Sequence, residues 1–189
     1  MKAERKLKFK NGKFRIFTLS DTHVLADGDK RITRDIAAIV EAIRPDLVLY
    51  LGDQVWQSAA ENADTLREAL RMQTDPVESL GIPWAHVFGN HDRERGFANE
   101  DQQKVYEEFP NCLSQAGPDD VDGTGNYILP VYDGEGKKIV YAVWAMDSHS
   151  GFMNFVKKHD FKGFGYYRIA VGAVLLALGF AIPTLFTVV

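Results

Sequence analysis

Three short polar segments of the sequence carry side chains that could bind metal ions or transfer protons. Each follows an apolar run, and the segments read SDTH, LGDQ and FGNHD. The candidate residues are Asp21, His23, Asp53, Asn90, His91 and Asp92. Turn chemistry explains Gly, Asn and Asp in such places, but a histidine adds nothing to a turn. The histidines therefore point to a function for these segments.

Carboxylate and amide oxygens combined with imidazole nitrogens are a ligand set that suits Mn, Fe or Zn ions. Two such ions about 3.5–4 Å apart can bind a phosphate ester, generate a hydroxide nucleophile and neutralise the charge that develops. Asp21 and His23 are two residues apart, so in an extended segment both can point to one side. The pattern indicates a metal centre that acts on phosphate esters.

Each segment taken alone also has a structural interpretation. Asp21 could serve a turn, Asp53 could follow a strand-end turn at Gly52, and Asn90 could adopt the left-handed conformation. His86, inside the apolar WAHVF, is interpreted as a core or sheet residue and not as a ligand. The occurrence of three such segments after three predicted strands favours the metal centre.

The apolar runs before these segments predict the strands of a mainly parallel sheet. Strand patterns are KFRIFTLS, DLVLYLGD and IPWAHVF, and helical patterns are RITRDIAAIVEAIRP, SAAENADTLREALRMQ and NEDQQKVYEEF, the last with Asn99 as N-cap. This alternation predicts a βαβαβα order with right-handed crossovers. The carboxyl ends of its strands would then bring all six candidate residues to one edge.

Two further patterns concern the core and the end of this region. NYILPVYDGEGKKIVYAVWAMDS predicts an antiparallel hairpin that turns at DGEG. The apolar residues at helical spacing in the first two helices are expected to face the core. These residues are Ile32, Ile36, Ile39, Val40, Ile43, Leu66, Ala69 and Leu70.

The composition of the chain excludes several classes of protein. With 189 residues, 46% hydrophobic and 12% aromatic, it can bury the core of one α/β domain. The net charge is −4, and because residues 151–189 carry +3, the first 150 residues carry −7. This acidic body argues against nucleic acid as a partner. A single cysteine, Cys112, excludes an internal disulfide.

Residues 169–189, IAVGAVLLALGFAIPTLFTVV, form an uncharged stretch of 21 positions. A helix needs about 20 apolar residues to cross a bilayer. A buried core helix is the alternative, but such helices are usually shorter and amphipathic. The stretch is predicted to be a transmembrane helix. The basic juxtamembrane segment 151–168 would then place the N-terminal domain on the cytoplasmic side of the membrane.

The segments SDTH, LGDQVW, PWAHVFGNHD and GNYILPV resemble the calcineurin-like metallophosphoesterases, most closely small bacterial members related to purple acid phosphatases. The resemblance covers about residues 12–148. It implies a metallophosphoesterase-type sandwich with a βαβαβ core and two ions of Mn, Fe or Zn. Asp21 and His23 would hold the first ion, Asp53 would bridge both, and Asn90 would hold the second.

The same resemblance implies that His91 faces the substrate and that Asp92 orients it. The family's later ligands, one isolated histidine and a Gly-His-x-His loop, have no match here. His149 and His159 are the remaining histidines, and both are interpreted as non-ligands. Residues 1–150 are therefore expected to be a metallophosphoesterase domain without its C-terminal part, with weakened metal binding and an exposed apolar edge or face.

The tail has a resemblance of its own. FMNFVKKHDFKGFGYYRIAVGAVLLALG is similar to the last membrane segment of undecaprenyl-diphosphatase, whose catalytic motifs are absent from this chain. The character of the sequence changes abruptly near residue 150. This change suggests that a truncated domain is fused to a membrane helix derived from another protein. The alternative is a plain anchor that merely resembles that segment.

Two functions follow from the sequence. The first is a metal-dependent phosphoesterase, tethered to a membrane and impaired by the loss of late ligands. The second is a catalytically inactive, membrane-anchored domain that binds a metal or a partner. An integral-membrane lipid pyrophosphatase is disfavoured, since one span is visible. The sequence does not distinguish a monoester from a diester substrate.

Overall fold

The computed structural model describes residues 6–25, 30–94 and 96–147, all of which belong to one compact unit, Met1–Ser148. Its helices are α1 (Arg31–Ile43), α2 (Ala63–Ser79) and α3 (Asn99–Glu107), with a short 3₁₀ helix at Gln57–Ala60. Its strands are β1 (Leu7–Lys8), β2 (Ile16–Leu19), β3 (Leu47–Leu51), β4 (Trp84–Val87), β5 (Tyr127–Tyr132) and β6 (Ile139–Ala145).

The first sheet has the order β2-β3-β4, and both of its strand pairs are parallel. Helices α1 and α2 connect its strands, which confirms the predicted βαβαβ arrangement. The register aligns Leu19 with Tyr50 and Leu51 with Val87, so the three strands end near the same level. The loops that carry the candidate residues therefore start from one edge of this sheet.

The second sheet has the order β1-β5-β6. β5 and β6 are antiparallel, with Tyr127 opposite Ala145 and Tyr132 opposite Ile139, which confirms the predicted hairpin. β1 is too short to have been recognised in the sequence and pairs with β5 in parallel. Parallel strands thus dominate the first sheet, whereas the second is mixed.

Two apolar cores cover the two faces of the parallel sheet. The alternation of side chains along β3 sends Val48 and Tyr50 into a core shared with the three helices. Leu47 enters the other core, which contains residues of the second sheet such as Leu129 and Val131. Because both faces are covered, β3 reads in the sequence as a continuous apolar run.

The apolar stripe of α1 is narrower than its sequence pattern predicts. Ile36 and Val40 are buried and Ile32 is partly buried, but Ile39 and Ile43 are 40% and 41% exposed. The expectation was therefore wrong for these last two positions, which lie at the margin of the helix–sheet contact. In α2 the expectation holds, and the buried residues include Leu66, Ala69 and Leu70.

Helix α3 begins one residue earlier than expected, at the position of the predicted N-cap. Ala98 has the extended backbone of an N-cap, and Asn99 is the first residue of the helix. The Oδ1 atom of Asn99 is buried and has no hydrogen-bond partner in the described part of the chain. The prediction that Asn99 caps this helix is wrong, because the carbonyl of Ala98 already accepts the first helical hydrogen bond, from the backbone N–H of Gln102 at 2.9 Å.

No helix within the described ranges is both long and apolar enough to cross a membrane. The predicted membrane helix 169–189 and the basic segment 151–168 lie outside the described residues. His149 and His159 lie outside them as well.

Candidate metal centre

The loops after β2 and β3 continue side by side beyond their strands. The backbone N–H of Asp21 donates to the carbonyl of Gly52 at 3.1 Å, and that of His23 donates to the carbonyl of Asp53 at 3.1 Å. These hydrogen bonds extend the parallel pairing into the loops. They hold the side chains of Asp21, His23 and Asp53 on neighbouring chains at one edge of the sheet.

The three side chains converge. One ligand atom from each of Asp21, His23 and Asp53 lies within 4.8 Å of the others. Asp53 is buried, His23 is half-buried and Asp21 is exposed, so the group opens to solvent on one side. Among the described residues, this is the one group of three or more His, Cys, Asp or Glu side chains close enough to share an ion.

Backbone strain is concentrated at the same residues. Asp21, His23 and Asp53 have φ angles of 54°, 46° and 52°. Only two other described residues that are not glycine, Asn11 and Arg44, have a positive φ. Such conformations cost about 1–3 kcal/mol each and often persist at functional sites, where surrounding contacts enforce them. Here the hydrogen bonds between the loops supply that constraint.

The loop after β4 forms hydrogen bonds with both the side chain and the backbone of Asp53. The backbone N–H of His91 donates to Asp53 Oδ1 at 2.9 Å. Asp92, which is 2% exposed, accepts through Oδ2 from the backbone N–H of Asp53 at 3.0 Å and of Gly89 at 2.6 Å. Asn90, between Gly89 and His91, is exposed on the same loop.

The carboxylate of Asp92 makes no hydrogen bond to the ring of His91, the side chain that the family resemblance assigns to it. The expectation was that Asp92 orients His91, but its Oδ2 atom binds backbone N–H groups instead. Glu94 takes that place, with Oε1 2.8 Å from His91 Nδ1. This contact raises the pKa of His91 above its ordinary value. The sequence signal that was missed is the i, i+3 spacing of His and Glu in HDRE.

His91 lies beside the converging side chains. Its side chain is 43% exposed, and its ring centroid is 6.1 Å from that of His23. The imidazole is therefore accessible to a molecule that reaches this edge of the sheet.

Burial raises the pKa of Asp92 to about 6, although the hydrogen bonds from Gly89 and Asp53 act in the opposite direction. Its Oδ1 atom is buried and has no hydrogen-bond partner in the described ranges. The carboxyl group is thus close to the balance between its protonated and ionised forms in mildly acidic solution. Its structural role is to join the β3 and β4 loops.

The buried residue Gln54 joins the loops of the site through hydrogen bonds. Gln54 donates through Nε2 to the carbonyl of Val87 at 3.0 Å and accepts through Oε1 from the hydroxyl of Tyr106 at 3.2 Å. Its own carbonyl accepts from Thr22 Oγ1 at 2.8 Å and from Gln73 Nε2 at 3.1 Å. Gln54 thus links the β2 and β3 loops, strand β4 and two helices. Nothing in the local sequence pattern indicates this role.

His86 lies away from the centre and in the core, as interpreted from the sequence. Its ring stacks on Tyr106 with 3.5 Å between centroids, and Nδ1 lies 2.8 Å from Ser114 Oγ. Burial lowers the pKa of His86 to about 3. The ring is therefore neutral near pH 7.

The chemistry of the converging residues fits a divalent metal ion. Two carboxylates and an imidazole supply oxygen and nitrogen donors of the type that Mn, Fe and Zn accept. The Nδ1 atom of His23 is buried and lacks a hydrogen-bond partner among the described residues. A bound cation would also offset the close approach of the Asp21 and Asp53 carboxylates.

Comparison with known proteins shows the family to which the chain is similar. The sequence profile of the family described as "Calcineurin-like phosphoesterase" matches residues 14–166. The chain is 30% identical over 151 residues to "Probable inactive purple acid phosphatase 14" from Arabidopsis thaliana, a match over 68% of this chain and 37% of that protein. It is 26% identical over 169 residues to "Phosphatase DCR2" from Saccharomyces cerevisiae, a match over 78% of this chain and 28% of that protein.

The chain thus spans between 28% and 37% of the length of these two relatives. A separate similarity links 29 residues, 15% of this chain, to 11% of "Undecaprenyl-diphosphatase 1" from Clostridioides difficile at 66% identity. So short a match gives weak support to the resemblance of the tail.

Proposed function

The chain belongs to the calcineurin-like phosphoesterase family, and from this premise we propose that residues 1–150 form a metal-dependent domain that hydrolyses a phosphate ester. Asp21, His23 and Asp53 would hold the metal, with Asn90 as a further ligand. The convergence of the first three side chains within 4.8 Å carries the proposal. Metal ions at this place supply Lewis acidity toward the phosphoryl group and lower the pKa of the attacking water.

The other residues of the site have separate tasks in this proposal. His91 meets the substrate from the solvent side and gives a proton to the leaving oxygen. Its Nδ1 is taken by Glu94, which leaves Nε2 as the ring atom that reaches the substrate. Asp92 acts as a positioning residue, because it holds the backbone N–H groups of Asp53 and Gly89 and thereby the loop that presents His91.

Activity should be weak, because the family's later histidine ligands have no counterpart in the sequence. Ligand number and geometry decide how tightly a site binds its metal. A second candidate function is therefore a catalytically inactive domain that binds a metal or a partner. The printed name of the Arabidopsis relative, which includes "probable inactive", favours this second candidate, whereas the yeast relative is named a phosphatase.

We also propose that residues 169–189 anchor the domain to a membrane, with residues 1–150 on the cytoplasmic side. The support is the sequence alone: 21 uncharged positions preceded by Lys157, Lys158, Lys162 and Arg168. Cell fractionation tests this proposal. Full-length protein should pellet with membranes and be released by detergent but not by high salt; protein that stays in the supernatant would rule the anchor out.

The test of catalysis combines metal binding with turnover. Full-length protein, Asp53→Asn and the surface control Asp35→Asn are purified in mild detergent, titrated with Mn²⁺ and supplied with a chromogenic phosphate monoester or diester. Metal binding and turnover that vanish only in Asp53→Asn support the phosphoesterase. Metal binding without turnover supports the inactive domain. Absence of metal binding in the wild-type chain would contradict the metal centre itself.

A further inference from the structure

Strand β6 forms an open edge of the second sheet. It has β5 on one side and, within the described part of the chain, no strand on the other. Its seven residues, IVYAVWA, include no charge and no proline. The outward N–H and C=O groups of such an edge can pair with another strand, and edge strands usually carry charges or prolines that prevent this pairing.

Four of the seven residues of β6 are exposed, and their side chains lie on both faces of the sheet. Tyr141 is 56% exposed on the face that carries the core between the two sheets, next to Val143, which packs only partly against that core. Trp144 is 66% exposed on the opposite face, where it lies across from Ile128. Among the described residues, no further element covers the margin of the core at β6.

We propose that β6 pairs in antiparallel fashion with the β6 strand of a second copy of this chain. An antiparallel pair of identical strands is related by a two-fold axis, so one strand supplies both halves of the interface. With the axis at Ala142, Tyr141 of each copy lies opposite Val143 of the other. Trp144 of each copy lies near Val140 of the other, so apolar side chains meet on both faces.

Charge complementarity at the strand ends favours a second copy over an unrelated strand. The same register brings Lys137, which precedes β6, close to Asp147, which follows β6 in the other copy. The Lys137 side chain is 79% exposed and pairs with Glu135 at 2.9 Å. Asp147 is partly exposed and accepts through Oδ2 from the backbone N–H of Thr124 at 3.0 Å, so the contact across the axis would add to these bonds. The two-fold axis repeats this opposite-charge contact at both ends of the pair. The inference is independent of the phosphoesterase proposal.

Cysteine cross-linking of the full-length protein tests the register. In an antiparallel pair, residues on the two-fold axis have Cα atoms about 4.5–5.5 Å apart, close enough for a disulfide. Ala142→Cys should therefore give a covalent dimer on mild oxidation in detergent. The native Cys112 is 2% exposed and gives a low background. The matched control is Glu68→Cys on the exposed side of α2, which should remain uncross-linked.

A second measurement separates edge pairing from stacking of the sheet faces and from association through the tail. Sedimentation should show that Trp144→Lys weakens the dimer by at least about tenfold, because the substitution places a charge at the paired edge. Ile128→Lys, on β5, should leave it nearly unchanged. A monomeric wild-type chain at micromolar concentration would overturn the proposal. So would a dimer that Ala142→Cys does not trap, or covalent attachment to other proteins alone.

Discussion

The main chain of Gly89 lies against the carboxylate of Asp53, so closely that a Cβ atom on residue 89 would be 2.3 Å from Asp53 Oδ1 and 2.6 Å from its backbone nitrogen. Gly52 is in a similar position, since a Cβ atom there would lie 2.8 Å from the Cα of Gly89. Two glycines thus allow the β3 and β4 loops to approach without side chains between them. This approach places Asp53 within reach of His91 and Asp92.

Gly89→Ala should consequently displace Asp53 and weaken metal binding. The clash is with a buried carboxylate and with backbone, neither of which can move away freely. We expect the affinity for Mn²⁺ to fall by about 10–100-fold, the usual loss when the support of a ligand is removed. Calorimetric titration of full-length protein measures the change.

Gly134→Ala is the matched control for this substitution. A Cβ atom at residue 134 would meet only the carbonyl of Phe9 at 3.5 Å, an ordinary contact. Its metal affinity should equal that of the wild type. Equal affinity in Gly89→Ala would show that Asp53 is not a ligand.

The glutamine beneath the loops supports a prediction about stability. Gln54→Leu would leave the buried Tyr106 hydroxyl and the partly buried Val87 carbonyl without their present partner. We expect a loss of about 2 kcal/mol in the free energy of unfolding, the typical penalty for stranded polar groups. Denaturant titration of full-length protein in detergent measures it.

A double-mutant cycle tests whether the pair itself is responsible for that loss. Tyr106→Phe removes the hydroxyl and keeps the ring that stacks on His86. The double variant should lose less free energy of unfolding than the sum of the two single variants' losses, because no hydroxyl is then left without a partner. Full additivity would mean that Gln54 acts through packing and not through this hydrogen bond.

The arrangement of the parallel sheet could be predicted from the sequence because burial imposes a visible pattern. A strand covered on both faces, such as β3, must be apolar at every position, and the helices between strands show their own period. From that order, the meeting of the strand-end loops follows by topology. The sequence therefore predicted that Asp21, His23 and Asp53 lie together, which the structure shows.

The contacts within the site could not be predicted because they depend on loop conformation and rotamers. Residue spacing does not reveal that Asp21 and Asp53 adopt positive φ. The i, i+3 spacing allows Glu94 to contact His91, but it does not show that Glu94 and not Asp92 reaches the ring. The exact start of a helix is similarly undetermined when neighbouring residues can both begin it, as Asn99 illustrates.

The contact between Glu94 and His91 predicts how the imidazole titrates. A carboxylate next to the ring stabilises the protonated form, so Glu94→Gln should lower the pKa of His91. Nuclear magnetic resonance of the ring protons, in metal-free buffer, follows this titration directly. Glu41→Gln, on the exposed side of α1, is the control and should leave the curve in place. A pKa that does not change in Glu94→Gln would mean that the contact does not form in solution.

The buried ring of His86 makes the stability of the domain depend on pH. Its pKa is lowered to about 3 in the folded chain by burial, whereas an unfolded chain has a histidine pKa of about 6.5. Above that value, neither state binds the proton. Between the two values the unfolded chain binds it and the folded chain does not, so acidification favours unfolding.

As the pH falls from about 6.5 toward 3, the free energy of unfolding should therefore decrease by up to about 1.4 kcal/mol per pH unit from this residue. Asp92, whose pKa is raised to about 6 by burial, acts in the opposite direction over part of this range. The difference between the wild type and His86→Gln isolates the effect of His86, because Asp92 is present in both proteins and its contribution cancels. Denaturant titrations in metal-free buffer from pH 4 to pH 7 should give a flatter dependence for the variant. Parallel curves for the two proteins would mean that His86 is accessible to protons in the folded state.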